Sequence, residues 1–280
     1  MPHCQPGAFG ATCKHTLETI FHGHDVYANA SELPPDARLD GWSPPCTLYE
    51  KIVKQYDLGY LVEVGVWKGK SAVCLADALR QANRGVLIAV DTWLGALEFW
   101  TRSQSGGKKD PTRDLHLRHG YPHVYEHFLS NVVQARLQRF VIPFPVPSRL
   151  AHDFLARKAD ARPDLVHIDA GHEYADAAED IRLWWELLRP GGVLLGDDFQ
   201  SVWPGVVRAA CEHAARVGVP IFRPTGGGYT QKKWWVQKPL INSGARKASA
   251  KWLGSCMSVD GGWQRAPSDW RMTVRIRRGR

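Results

Sequence analysis

Short apolar runs that end at a glycine or a carboxylate recur along this chain, and they constrain its fold more than any other feature. Tyr60-Leu-Val-Glu-Val64, Gly85-Val-Leu-Ile-Ala-Val-Asp91, Leu165-Val-His-Ile-Asp169 and Gly192-Val-Leu-Leu-Gly196 have the length and composition of buried strands. Stretches of helical length separate or flank them: Thr47 to Tyr56, Ser71 to Asn83, Pro122 to Ala135, Leu150 to Lys158, Tyr174 to Leu188 and Pro204 to Val217. Strands that alternate with helices build a parallel sheet covered on both faces. The expectation is a doubly wound α/β fold with a mainly parallel, seven-stranded sheet. Phe140-Val-Ile142 adds a short strand. A closing hairpin of Ile221-Phe222 and Lys233-Trp-Trp-Val236, turning at Gly226-Gly-Gly228, brings in one antiparallel strand.

The 280 residues, 44% of them hydrophobic, suffice for one sizeable core. No apolar run approaches the ~20 residues that span a bilayer. Met-Pro-His-Cys-Gln-Pro at the start has neither the basic nor the apolar region of a signal peptide. The six cysteines (Cys4, Cys13, Cys46, Cys74, Cys211, Cys256) form no C-x-x-C pair, which suits a reduced, cytoplasmic compartment. Three segments are expected: an irregular extension over 1–45, a folded domain over 46–240 and a basic tail over 241–280. The tail carries nine basic side chains against Asp260 and Asp269, so most of the formal charge of +8 belongs to it. Such a tail is either a solvated end or a contact for an anionic partner, such as nucleic acid or a membrane surface. Trp252, Trp263 and Trp270 are interleaved with its basic residues and would serve stacking on single strands. A homo-oligomer is equally open.

The strand ends carry the functional signal. In an open parallel sheet, ligands bind beyond the carboxyl ends of the strands. Asp169 ends one apolar run; Asp197 and Asp198 follow another. Three carboxylates at that edge would hold a hard divalent cation, Mg²⁺ above all, with positions left for water or substrate. Alternatively, Asp197 and Asp198 cap the next helix. His172 lies three residues after Asp169. A histidine titrates near neutrality, so it either takes a proton from a substrate hydroxyl or bonds its own loop. Upstream, Glu63-x-Gly65-x-x-x-Gly69 joins a strand to a helix. Glycines there would let the backbone approach a ligand, although the spacing is not the G-x-G-x-x-G of dinucleotide sites. Asp91 ends the next strand, where a carboxylate can accept ribose hydroxyls.

Glu63 to Ser71, Asp91-Thr-Trp93, and the stretch from Ile168-Asp-Ala-Gly-His-Glu-Tyr174 through Leu188-Arg-Pro-Gly-Gly192 to Gly196-Asp-Asp-Phe199 resemble class I S-adenosylmethionine-dependent methyltransferases. More narrowly, they are similar to the metal-dependent O-methyltransferases of the macrocin and novobiocin type. The resemblance spans roughly residues 45–240. It implies a Rossmann-like fold and methylation of a hydroxyl on a small molecule, a sugar or a natural-product glycoside. It also implies divalent-metal assistance and S-adenosylhomocysteine as product. On this resemblance Glu63 and Gly65, with Gly69 and Ser71 nearby, line the methionine part of the cofactor, and Asp91 holds the ribose. Trp93 and Ser148 are placed toward the adenine, or else pack and cap. Asp169, Asp197 and Asp198 are the metal ligands and His172 is the base. One branch of the family carries an aspartate two residues after the first ligand; here that position is Gly171, which favours His172. Tyr174 and Asp180 are read as packing and capping residues. The rivals are a metal-independent or N-directed methyltransferase and a catalytically silent cofactor- or nucleic-acid-binding module that uses the tail.

Three further patterns compete. His123-Val-Tyr-Glu-His127 matches the H-x-x-E-H of a zinc peptidase, though chance or a pocket edge explains it as well. His15, His22 and His24 near Cys4 and Cys13 have no recognised zinc spacing. Ser103-Gln-Ser-Gly-Gly-Lys-Lys-Asp-Pro111 has the composition of a flexible lid. Trp184-Trp185 and Trp234-Trp235 are expected in the core.

Overall fold

The structure, a computed structural model, describes residues 20–41, 43–101, 111–158, 162–224 and 228–240. Strands β1 (Tyr60–Val64), β2 (Val86–Val90), β3 (Val141–Phe144), β4 (Leu165–Ile168), β5 (Val193–Gly196) and β6 (Trp234–Gln237) form one sheet in the order β3-β2-β1-β4-β5-β6. All neighbours are parallel except β5 and β6. The helices are α1 (Cys46–Gln55), α2 (Lys70–Gln81), α3 (Leu97–Thr101), α4 (Val124–Gln134), α5 (Ser148–Lys158), α6 (Tyr174–Leu187) and α7 (Pro204–Val217). This is the doubly wound, Rossmann-like arrangement, with six strands among the described residues rather than seven.

The expected seventh strand shrinks to a single bridge. Phe222 exchanges two backbone hydrogen bonds with Trp235, of 2.8 and 3.0 Å. Pro220 and Pro224 flank it and lack amide donors, so the ladder cannot extend in either direction. Pro143, by contrast, sits within β3, which is an edge strand where a missing donor is tolerated.

Side chains alternate across the pleat and divide the core into two layers. Tyr60, Val62, Ile88, Val166 and Leu194 face α5, α6 and α7, where Leu155, Trp184 and Ala210 cover them. Leu61, Leu87, Leu165 and Leu195 face α1, α2 and α4, where Ile52, Leu75 and Phe128 cover them. Burial on both sides explains why the strands read as continuous apolar runs. The two residues that interrupt those runs, Glu63 and His167, are directly paired in the β1–β4 register.

Helices α1 and α2 are joined by a disulfide between Cys46 and Cys74, whose Cα atoms are 4.9 Å apart. Cys211 is also disulfide-bonded. The expectation of reduced cysteines is corrected accordingly: residues distant in sequence become neighbours when two helices pack on one sheet face. No helix among the described residues is long and apolar enough to cross a membrane. Residues 1–19, nearly all of Ser103–Pro111 and the whole of 241–280 lie outside the described residues. So do the expectations placed there: the Cys4/Cys13/His15 cluster, the lid and the basic tail.

Candidate active site

The sheet ladder runs one residue beyond each central strand. The amides of Asp91, Gly65, Asp169 and Asp197 donate to the carbonyls of Phe144, Val90, Val64 and Ile168, at 3.4, 2.9, 2.8 and 3.1 Å. In the strand order β2-β1-β4-β5, these four residues therefore stand side by side along the carboxyl edge.

The glycine turn between β1 and α2 is shaped by protein contacts. Gly65 has φ +81°, and a Cβ there would overlap the carbonyl of Asp169. Gly69 begins α2 with φ +89°, and its Cβ would come within 2.8 Å of the Phe128 ring. Both positions demand glycine for packing, a more specific reason than the ligand clearance read from the sequence. Asp91 holds the turn closed. Its Oδ2 accepts the amides of Val66 and Trp67 at 2.7 and 2.8 Å, and its Oδ1 accepts that of Trp93 at 2.8 Å. Burial raises the Asp91 pKa against the pull of these bonds. The Thr92 amide also bonds this carboxylate, so four backbone donors share its oxygens.

Trp93 and Ser148 are engaged by other parts of the protein. The Trp93 indole is buried against Tyr125 and Phe128, and its Nε1 donates to the Trp67 carbonyl at 2.7 Å. Ser148 joins α5 to α6: its hydroxyl donates to Asp180 at 2.5 Å and accepts from Trp184 Nε1 at 2.9 Å. These are contacts of the packing and helix-joining kind that stood as the alternative to an adenine contact. Burial pushes Asp180 up to about 6, opposed by the Ser148 bond. Tyr174 reaches Glu212 on α7 at 2.6 Å.

A buried polar chain crosses the α1–α2 face of the sheet. Ser71 donates to Glu63 Oε1, which also lies 2.9 Å from His167 Nδ1. Lys233 Nζ lies 2.9 Å from His167 Nε2. The same ammonium is 2.6 Å from Asp197 Oδ2 and 3.6 Å from Asp169 Oδ2. Burial and the Lys233 charge hold the His167 pKa well below its usual value. His167 is therefore a neutral ring that accepts from Lys233 and donates to Glu63. Burial pushes Glu63 up to about 8, against the Ser71 bond and the Lys233 charge. Its Oε2 is buried with no partner among the described residues. Burial, then the neighbouring Asp197, raises Asp169 well above the carboxylate range. Burial works against the Lys233 ammonium, but Tyr49, Asp197 and Asp169 outweigh it, and its pKa stays high.

Lys233 and His167 were missed as functional candidates. Their signal was a charged or polar residue against an apolar run, in Lys232-Lys-Trp-Trp-Val236 and Leu165-Val-His-Ile168. The topology explains the meeting. An antiparallel last strand begins where its parallel neighbours end, so the residue before β6 arrives beside Asp197.

His172 follows β4 and lies between two carboxylates, with Nε2 2.9 Å from Asp198 Oδ2 and Nδ1 2.8 Å from Glu98 Oε1. Its ring stacks on Trp203 at 3.9 Å. Burial disfavours the charged ring, yet the bonds to Asp198 and Glu98 prevail and push its pKa up to about 9. Burial also opposes ionisation of Asp198, but the His172 bond keeps its pKa below the usual value. Glu98, on the unforeseen short helix α3, had no sequence signal.

The three aspartates stand at this edge, and the oxygens of two of them are already engaged. Asp197 uses one oxygen for Lys233 and the other for the Asp198 amide at 2.7 Å. Asp198 uses one for His172 and the other for Gln200 Nε2 at 2.8 Å. A divalent ion needs several free oxygens around one point. With an ammonium between Asp169 and Asp197, this donor set as it stands is a carboxylate–lysine–histidine cluster that does not fit that ion, and among the described residues no group of three or more His, Cys, Asp or Glu is arranged to hold a metal. The H-x-x-E-H pattern also resolves into other contacts. His123 bonds Glu126 at 3.0 Å, while His127 stacks on His116 at 3.7 Å.

Residues 62–199 match the family model described as a methyltransferase domain. That stretch is a methyltransferase domain. By structure it is similar to the O-methyltransferase TomG from Streptomyces achromogenes, involved in tomaymycin synthesis and solved with S-adenosylmethionine. That likeness has a TM-score of 0.51 at 18% identity, over 76% of this chain and 95% of that chain, and speaks for the fold. An O-methyltransferase from Bacillus cereus, in complex with S-adenosylhomocysteine, gives 0.49 at 17% identity, over 81% and 91%. The O-methyltransferase NovP gives 0.49 at 19%, over 69% and 78%. No curated protein sequence matches the chain. A methyltransferase of this class depends on S-adenosylmethionine, and the strand edge described above is where such a fold binds its ligands.

Proposed function

We propose that this methyltransferase acts on a hydroxyl of a small acceptor, a sugar or natural-product glycoside. The observation that carries this reading is the contact between the glycine turn and the end of β4, where the Gly65 backbone abuts that of Asp169. It sets the cofactor turn directly beside the loop that carries His172. Bound S-adenosylmethionine supplies an electrophilic methyl group on a sulfonium. The unpartnered Glu63 Oε2 suits the ammonium of a methionine moiety, and the Asp91 carboxylate, just beyond β2, is of the type that accepts ribose hydroxyls.

His172 takes the acceptor proton in this reading. Glu98 and Asp198 orient its ring, and Trp203 fixes the plane. Both ring nitrogens are held by carboxylates in this structure, so one of them exchanges Glu98 or Asp198 for the hydroxyl when the acceptor binds. The charge that develops on the oxygen is neutralised as it meets the sulfonium, which favours a site closed to water. A divalent cation is left out, because the Asp197 and Asp198 oxygens are committed to Lys233, His172, Gln200 and a backbone amide, and the Lys233 ammonium stands between Asp197 and Asp169.

Calorimetry with S-adenosylmethionine and turnover of a panel of hydroxylated acceptors test the reading. Saturable binding with turnover is expected, and His172→Gln should lower kcat by about 10²–10⁴-fold with cofactor affinity retained. Unchanged kcat in that variant removes His172 from the role; no cofactor binding by the wild type removes the whole reading.

A further inference from the structure

We propose that Lys233 is the resident cation of the carboxylate cluster, standing where a divalent metal would otherwise bind and making the site independent of metal. The geometry carries this. The side chain is fully buried, and its ammonium lies 2.6 Å from Asp197 Oδ2, 3.6 Å from Asp169 Oδ2 and 2.9 Å from His167 Nε2. The ring of Tyr49 lies 5.6 Å below it. Asp197 and His167 thus accept from the ammonium, and Asp169 adds a second negative charge beside it, the pairing that a buried charge requires. An ammonium and a hard divalent ion compete for the same oxygens, and a tethered cation needs no capture from solution.

The position is fixed by the fold rather than by a flexible side chain. Phe199 donates to the Lys232 carbonyl at 2.8 Å, and the Trp234 indole donates to the Asp197 carbonyl at 3.2 Å. Both bonds clamp the residues beside Lys233 to the loop that carries Asp197 and Asp198. Lys233 touches no open surface, so it acts as a positioning residue. It holds Asp197 and Asp169 in place while Asp198 serves His172. Through His167 it also reaches Glu63, coupling the acceptor edge to the cofactor turn.

This inference shares the reaction centre with the proposed O-methylation, but its test does not depend on turnover. Free Mn²⁺ is followed by its paramagnetic resonance signal as full-length protein is added, while S-adenosylhomocysteine calorimetry reports separately on the cofactor site. The wild type should leave millimolar Mn²⁺ free. Lys233→Ala empties the cation position and should bind one Mn²⁺ per chain, and Asp197→Asn added to it should abolish that binding. Lys233→Arg, which keeps the charge, should stay silent. Wild-type protein that binds one Mn²⁺ per chain and loses it on Asp169→Asn overturns the proposal. So does a folded Lys233→Ala that binds none. If Lys233→Ala does not fold, the comparison of wild type with Asp169→Asn still decides.

Discussion

At the scale of single residues, the site is a set of ionisable groups whose charges are settled by their partners. Glu63 shows how partner and burial compete. Its unpartnered oxygen gives it one unfilled hydrogen bond, and a charge-assisted bond to a cofactor ammonium would fill it. Glu63→Gln should weaken S-adenosylmethionine binding by roughly 10–100-fold, the range expected for losing a hydrogen bond to a charged group; calorimetry reads this directly, and unchanged affinity would place the cofactor elsewhere. His172 provides a pH test. Its pKa in the folded protein, about 9, lies above its ordinary 6.5. The stability it contributes is therefore fully present below about pH 6.5 and is lost as pH rises through about 9. The urea midpoints of wild type and His172→Gln should differ at pH 6 and converge by pH 10. Turnover, which needs the neutral ring, should rise across the same interval. A gap in midpoint that widens with pH would contradict the assignment.

At the scale of elements, the sequence revealed the strands, the helices and the carboxylates at their ends, because both signals are local. Tyr60–Val64, Leu165–Ile168 and Val193–Gly196 are apolar runs of strand length, and Asp169 and Asp197 follow two of them directly. What the sequence could not reveal depends on which elements become neighbours. Lys233 reads as the polar start of a strand. Only the antiparallel docking of β6 against β5 turns it into the partner of Asp197. Glu98 reaches His172 from a helix of five residues that has no capping or periodic signal. Trp93 and Ser148 stand near the right edge in sequence terms, yet packing claims both. The β5–β6 junction can be tested. A Cβ on Gly196 would overlap the Trp234 indole, which neighbours Lys233 in sequence. Gly196→Ala should cost about 1–3 kcal/mol by overpacking, seen in urea unfolding, and should lower kcat more than it changes cofactor affinity. A variant as stable and active as wild type would show that β6 does not need its close fit to hold the lysine.

At the scale of the molecule, one sheet carries the proposed cofactor turn, the proposed base and the buried lysine on a shared edge, and most of the net positive charge of the sequence lies in residues 241–280. Residues 241–280, with nine basic side chains, lie outside the described residues. Removal of that segment should leave methyl transfer unchanged while reducing retention on an anionic matrix such as heparin; loss of turnover would make the tail part of the catalytic unit proposed over 46–240. The most direct test of the central claim uses chelator-treated, full-length protein and acceptor pairs that differ only in a hydroxyl or an amine, with release of S-adenosylhomocysteine as the readout. The account predicts release with the hydroxyl member of a pair, undiminished by EDTA and unaffected by added Mg²⁺. Release that disappears with EDTA and returns with Mg²⁺, or that requires the amine member, would contradict it.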